Sequence, residues 1–267
     1  MELRFLGTGA ADWPDKEPVD VAFYRHHASM LVNGKVLIDI GPGIVEYLKT
    51  IPDTDFGNIE AIFLTHTHED HWSTDELGHL LSLTRKKIRL YFHTGAKNNL
   101  DLCRDSIHGH ALSNKHLRQV VLCPMRRWQI VNESGLFWQN LEANHYAPKG
   151  ERGSHYIISD GTETWFYGLD GGWFTTKTWD ILRSTCFDGM VLDGTVGENS
   201  ADYRIAGHNS LAMNSLLKKA MLQQNMLKAG ARLYLSHFGM TTYENSYDIR
   251  EKVEEAGFME ARDGEMA

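Results

Sequence analysis

The stretch Leu64-Thr65-His66-Thr67-His68-Glu69-Asp70-His71-Trp72 constrains this chain more than any other. It places three imidazoles and a carboxylate (His66, His68, Asp70 and His71) within six positions, directly after the apolar run from Ile59 to Leu64. A nearly continuous apolar run of that length predicts a strand buried on both faces, so the histidines are delivered to a loop at its carboxyl end. A loop of such donor density suits the wrapping of divalent cations by nitrogen and oxygen, whereas a solvated surface loop has no need of it.

The rest of the pattern places that loop in a layered fold. Leu3 to Leu6 predicts an opening strand, and Ser29 to Val32 with Lys35 to Asp39 predicts a hairpin on the Asn33-Gly34 turn. Gly41-Pro42-Gly43 breaks the chain before a short helical stripe at Ile44, Val45 and Leu48; Ser73 and Glu76 have the spacing of a capping box ahead of a helix with Leu77, Leu80 and Leu81 inward. Further strands are expected at 89–92, 135–142, 155–159, 164–167, 190–192 and 232–235, and a helix around Trp179 and Leu182. The longest helix is expected from Ser210 to Ala229, closed by Gly230, and the last from Ser246 to Ala256, closed by Gly257. Each half runs strands first and βα units after, with no Pro/Ser-rich linker between. The expected class is therefore α/β, a four-layer αββα sandwich formed by residues 1–267 as a single domain.

Composition narrows the function. The formal charge of −8 disfavours long polyanions, whose binding depends on clustered basic residues, so nucleic acid is not the expected partner, while a small anion held at a local site is allowed. The basic runs Arg85 to Arg89 and Arg126-Arg127 read as solvated ends of elements. Cys103, Cys123 and Cys186 lack C-x-x-C spacing and leave one over, against a disulfide framework or thiolate zinc site. With no leader pattern and no membrane-length apolar window, the expected setting is cytoplasmic, without a membrane partner; a homodimer is among the assemblies the sequence allows.

With those residues in place, the sequence resembles the metallo-β-lactamase-fold hydrolase superfamily, whose mark is H-x-H-x-D-H followed by separated His, Asp and His ligands. His145 follows the strand ending Glu142-Ala143-Asn144, Asp170 follows Trp165 to Leu169, and His237 follows Leu233 to Ser236. The resemblance implies that His66, His68 and His145 hold one metal, that Asp70, His71 and His237 hold the other, and that Asp170 bridges them. Two divalent transition-metal ions per chain are implied, Zn²⁺ first, with Mn²⁺, Fe²⁺ or Ni²⁺ as alternatives. Such a pair lowers the pKa of a shared water so that hydroxide attacks near neutral pH. Asp39 matches the superfamily's first motif and would orient the His-rich loop, or else serve as a turn carboxylate near Gly41.

Ala206-Gly207-His208-Asn209-Ser210 further resembles the phosphodiesterase branch, which contains tRNase Z and the PhnP-type cyclic-phosphate phosphodiesterases. By that resemblance His208 faces the phosphate and assists the departing oxygen, with Asp193 orienting it, while Asp70 positions the nucleophile. The plain alternative is a residue at a helix start. The absence of a long Gly/Pro-rich arm favours the PhnP-like side, although the Cys-rich N-terminal zinc segment of that type is absent from Ala10 to His27. Lys149 and Arg152 are candidates for clamping phosphate, or solvated loop charges. Trp13, Phe23, Tyr24, Trp72, Trp173 and Phe174 flank the ligand loops as cleft walls or core. His26-His27 precedes the hairpin and can approach the site's mouth. His79, His93, His108, His110, His116 and His155 show no ligand spacing. The function expected is a binuclear phosphodiesterase on a small phosphodiester or cyclic phosphate; the alternatives are a lactone, ester or thioester hydrolase and an RNA-processing nuclease.

Overall fold

In the computed structural model, residues 1–18, 23–84, 86–100, 112–243 and 246–267 are described. Arg85, Cys103, His108 and His110 lie outside the described residues. The chain divides into two units: Met1–Arg126 with Ala147–Arg152 and Asp263–Met266, and Arg127–Tyr146 with Gly153–Arg262 and Ala267.

In the first unit, β1 (Leu3–Gly7), β2 (Ser29–Val32), β3 (Val36–Ile38), β4 (Ala61–Phe63), β5 (Ile88–His93) and β6 (Val120–Met125) form one sheet in that order. The first three are antiparallel and β3 to β6 are parallel. Asn33 and Gly34 both have positive φ, 49° and 63°, as the tight β2–β3 hairpin requires. The apolar faces of α1 (Ile44–Thr50) and α2 (Thr74–Leu83) bury Ile44, Val45, Leu48, Leu77, Leu80 and Leu81 against Leu37, Ile62, Leu64 and Leu90. A short α3 (Asn114–Leu117) follows. The expected capping box at α2 is half made. Ser73 Oγ accepts from Glu76 N–H at 3.3 Å, but Ser73 N–H donates to Ile40 O, and the Glu76 carboxylate instead takes the Val45 N–H at 2.7 Å, tying α2 to α1.

The second unit repeats the plan. Its sheet holds β7 (Ile130–Glu133), β8 (Leu136–Glu142), β9 (Ser154–Ser159), β10 (Thr164–Gly168), β11 (Phe187–Asp193), β12 (Leu227–Ser236) and β13 (Met259–Glu260), β7 and β13 being the two edges. β7 to β10 are antiparallel and β10 to β13 parallel. α4 (Thr176–Leu182), α5 (Leu211–Gln223) and α6 (Ser246–Glu255) contribute Leu182, Leu217, Met221, Ile249 and Val253 to the core with Phe166, Met190 and Leu235. Both sheets are mixed, and with six α-helices among the described residues the α/β class expected from the sequence holds.

The end of the longest helix is corrected. The long helix does not reach Gly230. It stops at Gln223, because Asn225 takes φ 53° and the amides of Asn225 and Met226 return to Leu222 O and Met221 O, a Schellman ending with Asn in the left-handed position. Gly230, at φ 78°, lies inside β12 where the pairing with β11 shifts register. β6 and β7 were not anticipated: β6 carries Pro124, which only an edge strand accepts, and β7 is a four-residue edge. α6 ends as expected, with Gly257 at φ 79°. Among the described residues, no helix is long and apolar enough to cross a membrane.

Candidate metal centre

The parallel pairing of β3 with β4 brings their carboxyl ends together, with Asp39 N–H on Phe63 O at 3.0 Å. Asp39 is wholly buried, and its two oxygens take the Thr65 N–H at 2.7 Å and the Thr65 hydroxyl at 2.8 Å. Its Oδ2 also faces His71 Nδ1 at 2.8 Å. Burial pushes this carboxyl up, against His71 and the Thr65 hydrogen bonds, which pull it down. Having donated its proton to Asp39, the Thr65 hydroxyl accepts from His66 Nδ1–H at 3.0 Å. His66 Nε2 lies 2.7 Å from His68 Nδ1, and His71 Nε2 lies 3.2 Å from Asp70 Oδ2. Only glycine fits at position 41, since a Cβ there would lie 1.9 Å from Asp70 O. A concavity beside this loop is lined by Asp15, His27, Thr67, His68, Glu69 and Asp70. His27, buried, sets Nε2 3.2 Å from Asp15 Oδ1.

In the second unit, β8 runs in the same direction as β10, β11 and β12, so their carboxyl ends share one edge of the sheet. His145, Asp170, Asp193 and His237 all stand there. His145 Nδ1 donates to Gly207 O at 3.0 Å, leaving Nε2 3.8 Å from Asp170 Oδ2. Burial pulls the His145 imidazole down, against the Asp170 charge, which pulls it up. The Thr195 hydroxyl donates to His237 O at 2.8 Å and accepts from His237 Nδ1–H at 2.7 Å, so His237 Nε2 faces Asp170 Oδ1 at 2.9 Å. The two Asp170 oxygens thus face two different imidazoles, as a bridging carboxylate needs. Asp39, Asp170 and His237 have φ 61°, 51° and 61°, a left-handed conformation uncommon outside glycine, held at three strand ends where the donors turn inward.

His208 precedes α5, whose cap is Ser210, so it is no helix cap itself. Its Nδ1 lies 2.8 Å from Asp193 Oδ2 and 3.6 Å from Asp170 Oδ1. Burial pulls this imidazole down, but the adjacent Asp193 and Asp170 charges outweigh it and the net direction is up. Asp170, Asp193, His208 and His237 offer donor atoms within 4.8 Å of one another. Lys149 and Arg152 are exposed, while Glu151 between them is buried and accepts from the Thr67 hydroxyl and from Asn99 Nδ2. Of the aromatic candidates, Trp13 and Trp72 are buried, Phe174 packs on the second core, and Trp173 is exposed. Thr65, Thr195 and Glu151 carried no motif signal; their roles emerge only from the fold.

Four of the five histidines expected as ligands thus have their second ring nitrogen fixed on a protein oxygen, the arrangement that orients a metal-binding imidazole. Nitrogen and carboxylate donors of this kind fit divalent transition metals. The family model described as a beta-lactamase superfamily domain matches residues 35–238. The chain belongs to the metallo-β-lactamase superfamily. Solved structures similar to it include zinc-bound PqqB from Methylobacterium extorquens, at 17% identity and TM-score 0.74, covering 100% of this chain and 99% of that one. The metallo-β-lactamase fold protein YhfI from Bacillus subtilis aligns at 15% identity and TM-score 0.73, over 100% and 98%. The short form of human tRNase Z aligns at 19% and 0.68, over 100% and 98%. At these identities the likeness is one of fold. A comparison with curated proteins found no match.

Proposed function

We propose that the chain is a metal-dependent phosphodiesterase acting on a small phosphodiester or cyclic phosphate. In this reading His66, His68 and His145 hold one divalent cation, Asp70, His71 and His237 a second, and Asp170 serves both. Bound cations supply Lewis-acid polarisation of the phosphoryl oxygens and an ionised water near neutral pH.

The observation that carries the phosphodiester reading is the Asp193–His208 pair. Asp193 holds His208 by Nδ1, so the ring presents Nε2, and the neighbouring carboxylates favour the charged imidazolium. A leaving alkoxide needs a proton, and Nε2–H of His208 supplies it. Asp70, beside His71, positions the attacking water, and the exposed Lys149 and Arg152 add positive charge for the phosphate.

The test is turnover of bis-(p-nitrophenyl) phosphate and ribosyl cyclic phosphates by the metal-loaded chain, with His208→Ala beside it. Absence of metal-dependent turnover of any phosphodiester, alongside fast lactone or thioester hydrolysis, would move the activity to carbon centres.

A further inference from the structure

His68 is set differently from the other imidazoles expected as ligands. Those of His66, His71, His145 and His237 each turn Nδ1 to a protein oxygen, whereas His68 turns Nδ1 to His66 Nε2 at 2.7 Å. The two rings meet edge-on with centroids 4.4 Å apart, and the side chain of Thr67 between them goes to Glu151, whose carboxylate accepts from its hydroxyl. The hold at this point is thus on the residue before His68.

Glu151 is built into its place. It is 7% exposed, although Lys149 and Arg152 on either side are exposed. Asn99 Nδ2 donates to the same carboxylate at 3.1 Å and lies 3.4 Å from Lys149 O, and Glu151 N–H donates to Pro148 O at 3.0 Å. The loop lies so close to Gly95 that a Cβ there would meet Gly150 O at 1.8 Å. Residues 147–152 accordingly group with the first unit, although His145 just before them belongs to the second. Burying a carboxylate is costly unless donors satisfy it, and a loop that only displays two solvated cations has no use for one.

We propose that Glu151 is a positioning residue of the metal centre, which through Thr67 holds the His66–His68 segment in the geometry that a cation needs. The inference rests on His66 and His68 being ligands, as in the function proposed above, and not on the identity of the substrate. Without Glu151 the Thr67 hydroxyl loses its acceptor and His68 its hold, while His66 keeps the Thr65 hydroxyl. His71 keeps Asp39 and His237 keeps Thr195. The loss therefore falls on the cation held by His66, His68 and His145, and spares the one held by Asp70, His71 and His237.

The experiment titrates the metal-free chain with Co²⁺, followed by visible absorption and calorimetry, for wild type, Glu151→Ala, Glu151→Gln, Thr67→Val and the Glu151→Ala/Thr67→Val double variant. The urea midpoint of each metal-free chain is measured alongside. Glu151→Ala and Thr67→Val are each expected to weaken one Co²⁺ equivalent about 10- to 100-fold and leave the other unchanged. The double variant should bind no more weakly than either single one, because both remove the same contact. Glu151→Gln keeps an oxygen that accepts from the Thr67 hydroxyl and should restore the affinity. If Glu151→Ala does not fold, Thr67→Val and Glu151→Gln carry the comparison. Wild-type affinity for both equivalents in Glu151→Ala and Thr67→Val overturns the proposal alone. So does equal weakening of both equivalents together with a fallen urea midpoint, which is a general loosening of the fold. A wild-type chain that takes up no Co²⁺ overturns the ligand assignment, and this inference with it.

Discussion

Asp193 Oδ2 lies 2.8 Å from His208 Nδ1, while the other oxygen of the same carboxylate takes the backbone N–H groups of Thr195 and Asn209 at 2.9 and 3.1 Å. The carboxylate is thereby fixed in rotamer before it fixes the imidazole. His208→Ala is expected to lower kcat for phosphodiesters by a factor of about 10² to 10⁴, the usual contribution of a positioned acid. Metal content, measured by elemental analysis, is expected to stay at the wild-type value; loss of a metal equivalent would make His208 a ligand rather than an acid. Asp193→Asn keeps the shape and removes the charge, so its kcat should fall less than that of His208→Ala, and its activity should decline at lower pH than wild type.

Metal removal should reduce both turnover and stability. A cation that binds the folded chain at a free concentration about 100 times its Kd adds about 2.7 kcal/mol. Chelation is expected to lower the melting temperature, and adding back Zn²⁺ or Mn²⁺ to restore it. His66→Ala should diminish the restoration, whereas a melting curve indifferent to chelator would count against a resident metal.

Gly41→Ala places a Cβ 1.9 Å from Asp70 O, a contact that forces the 39–41 segment away from the His-rich loop. Overpacking against backbone costs roughly 1–3 kcal/mol, occasionally more. The expected outcome is a lower midpoint in urea together with weaker metal retention, because Asp70 and His71 move with the segment. An unchanged midpoint would show that the loop yields without penalty.

His155 is wholly buried against Phe166 and Phe174, and burial brings it down to about 4 from an unfolded value near 6.5. Because the folded value is depressed, the folded state is favoured in full above pH 6.5 and loses that advantage as pH falls toward 4, where the unfolded chain alone gains the proton. The expected loss is about 3 kcal/mol across that window. Metal-free His155→Leu should show a flatter dependence of unfolding free energy on pH than metal-free wild type; parallel curves would refute the assignment.

The donor-bearing strand ends were legible because apolar runs and the residues following them are local: Leu64 before His66, Leu169 before Asp170 and Ser236 before His237 need no tertiary knowledge. The end of α5 was misread for the same locality, since Gly230 outranks Asn225 as a stop signal until the amide of Met226 is seen returning to Met221 O. Edge strand β6 is hidden by Pro124, which is admissible because, among the described residues, no strand pairs beyond it in its sheet. Thr65 and Thr195 were invisible as orienting hydroxyls, because threonine at a strand end is ordinary and its role depends on which imidazole the fold sets beside it.

The ring orientations of His66, His71, His145 and His237 bear on how the chain would take up a metal. Each ring already turns one nitrogen to a neighbouring oxygen and the other nitrogen the opposite way, so capture of a cation there calls for no ring flip. The protein is in that sense primed: folding has aimed the four rings in advance, so a cation would meet side chains whose orientation is already set.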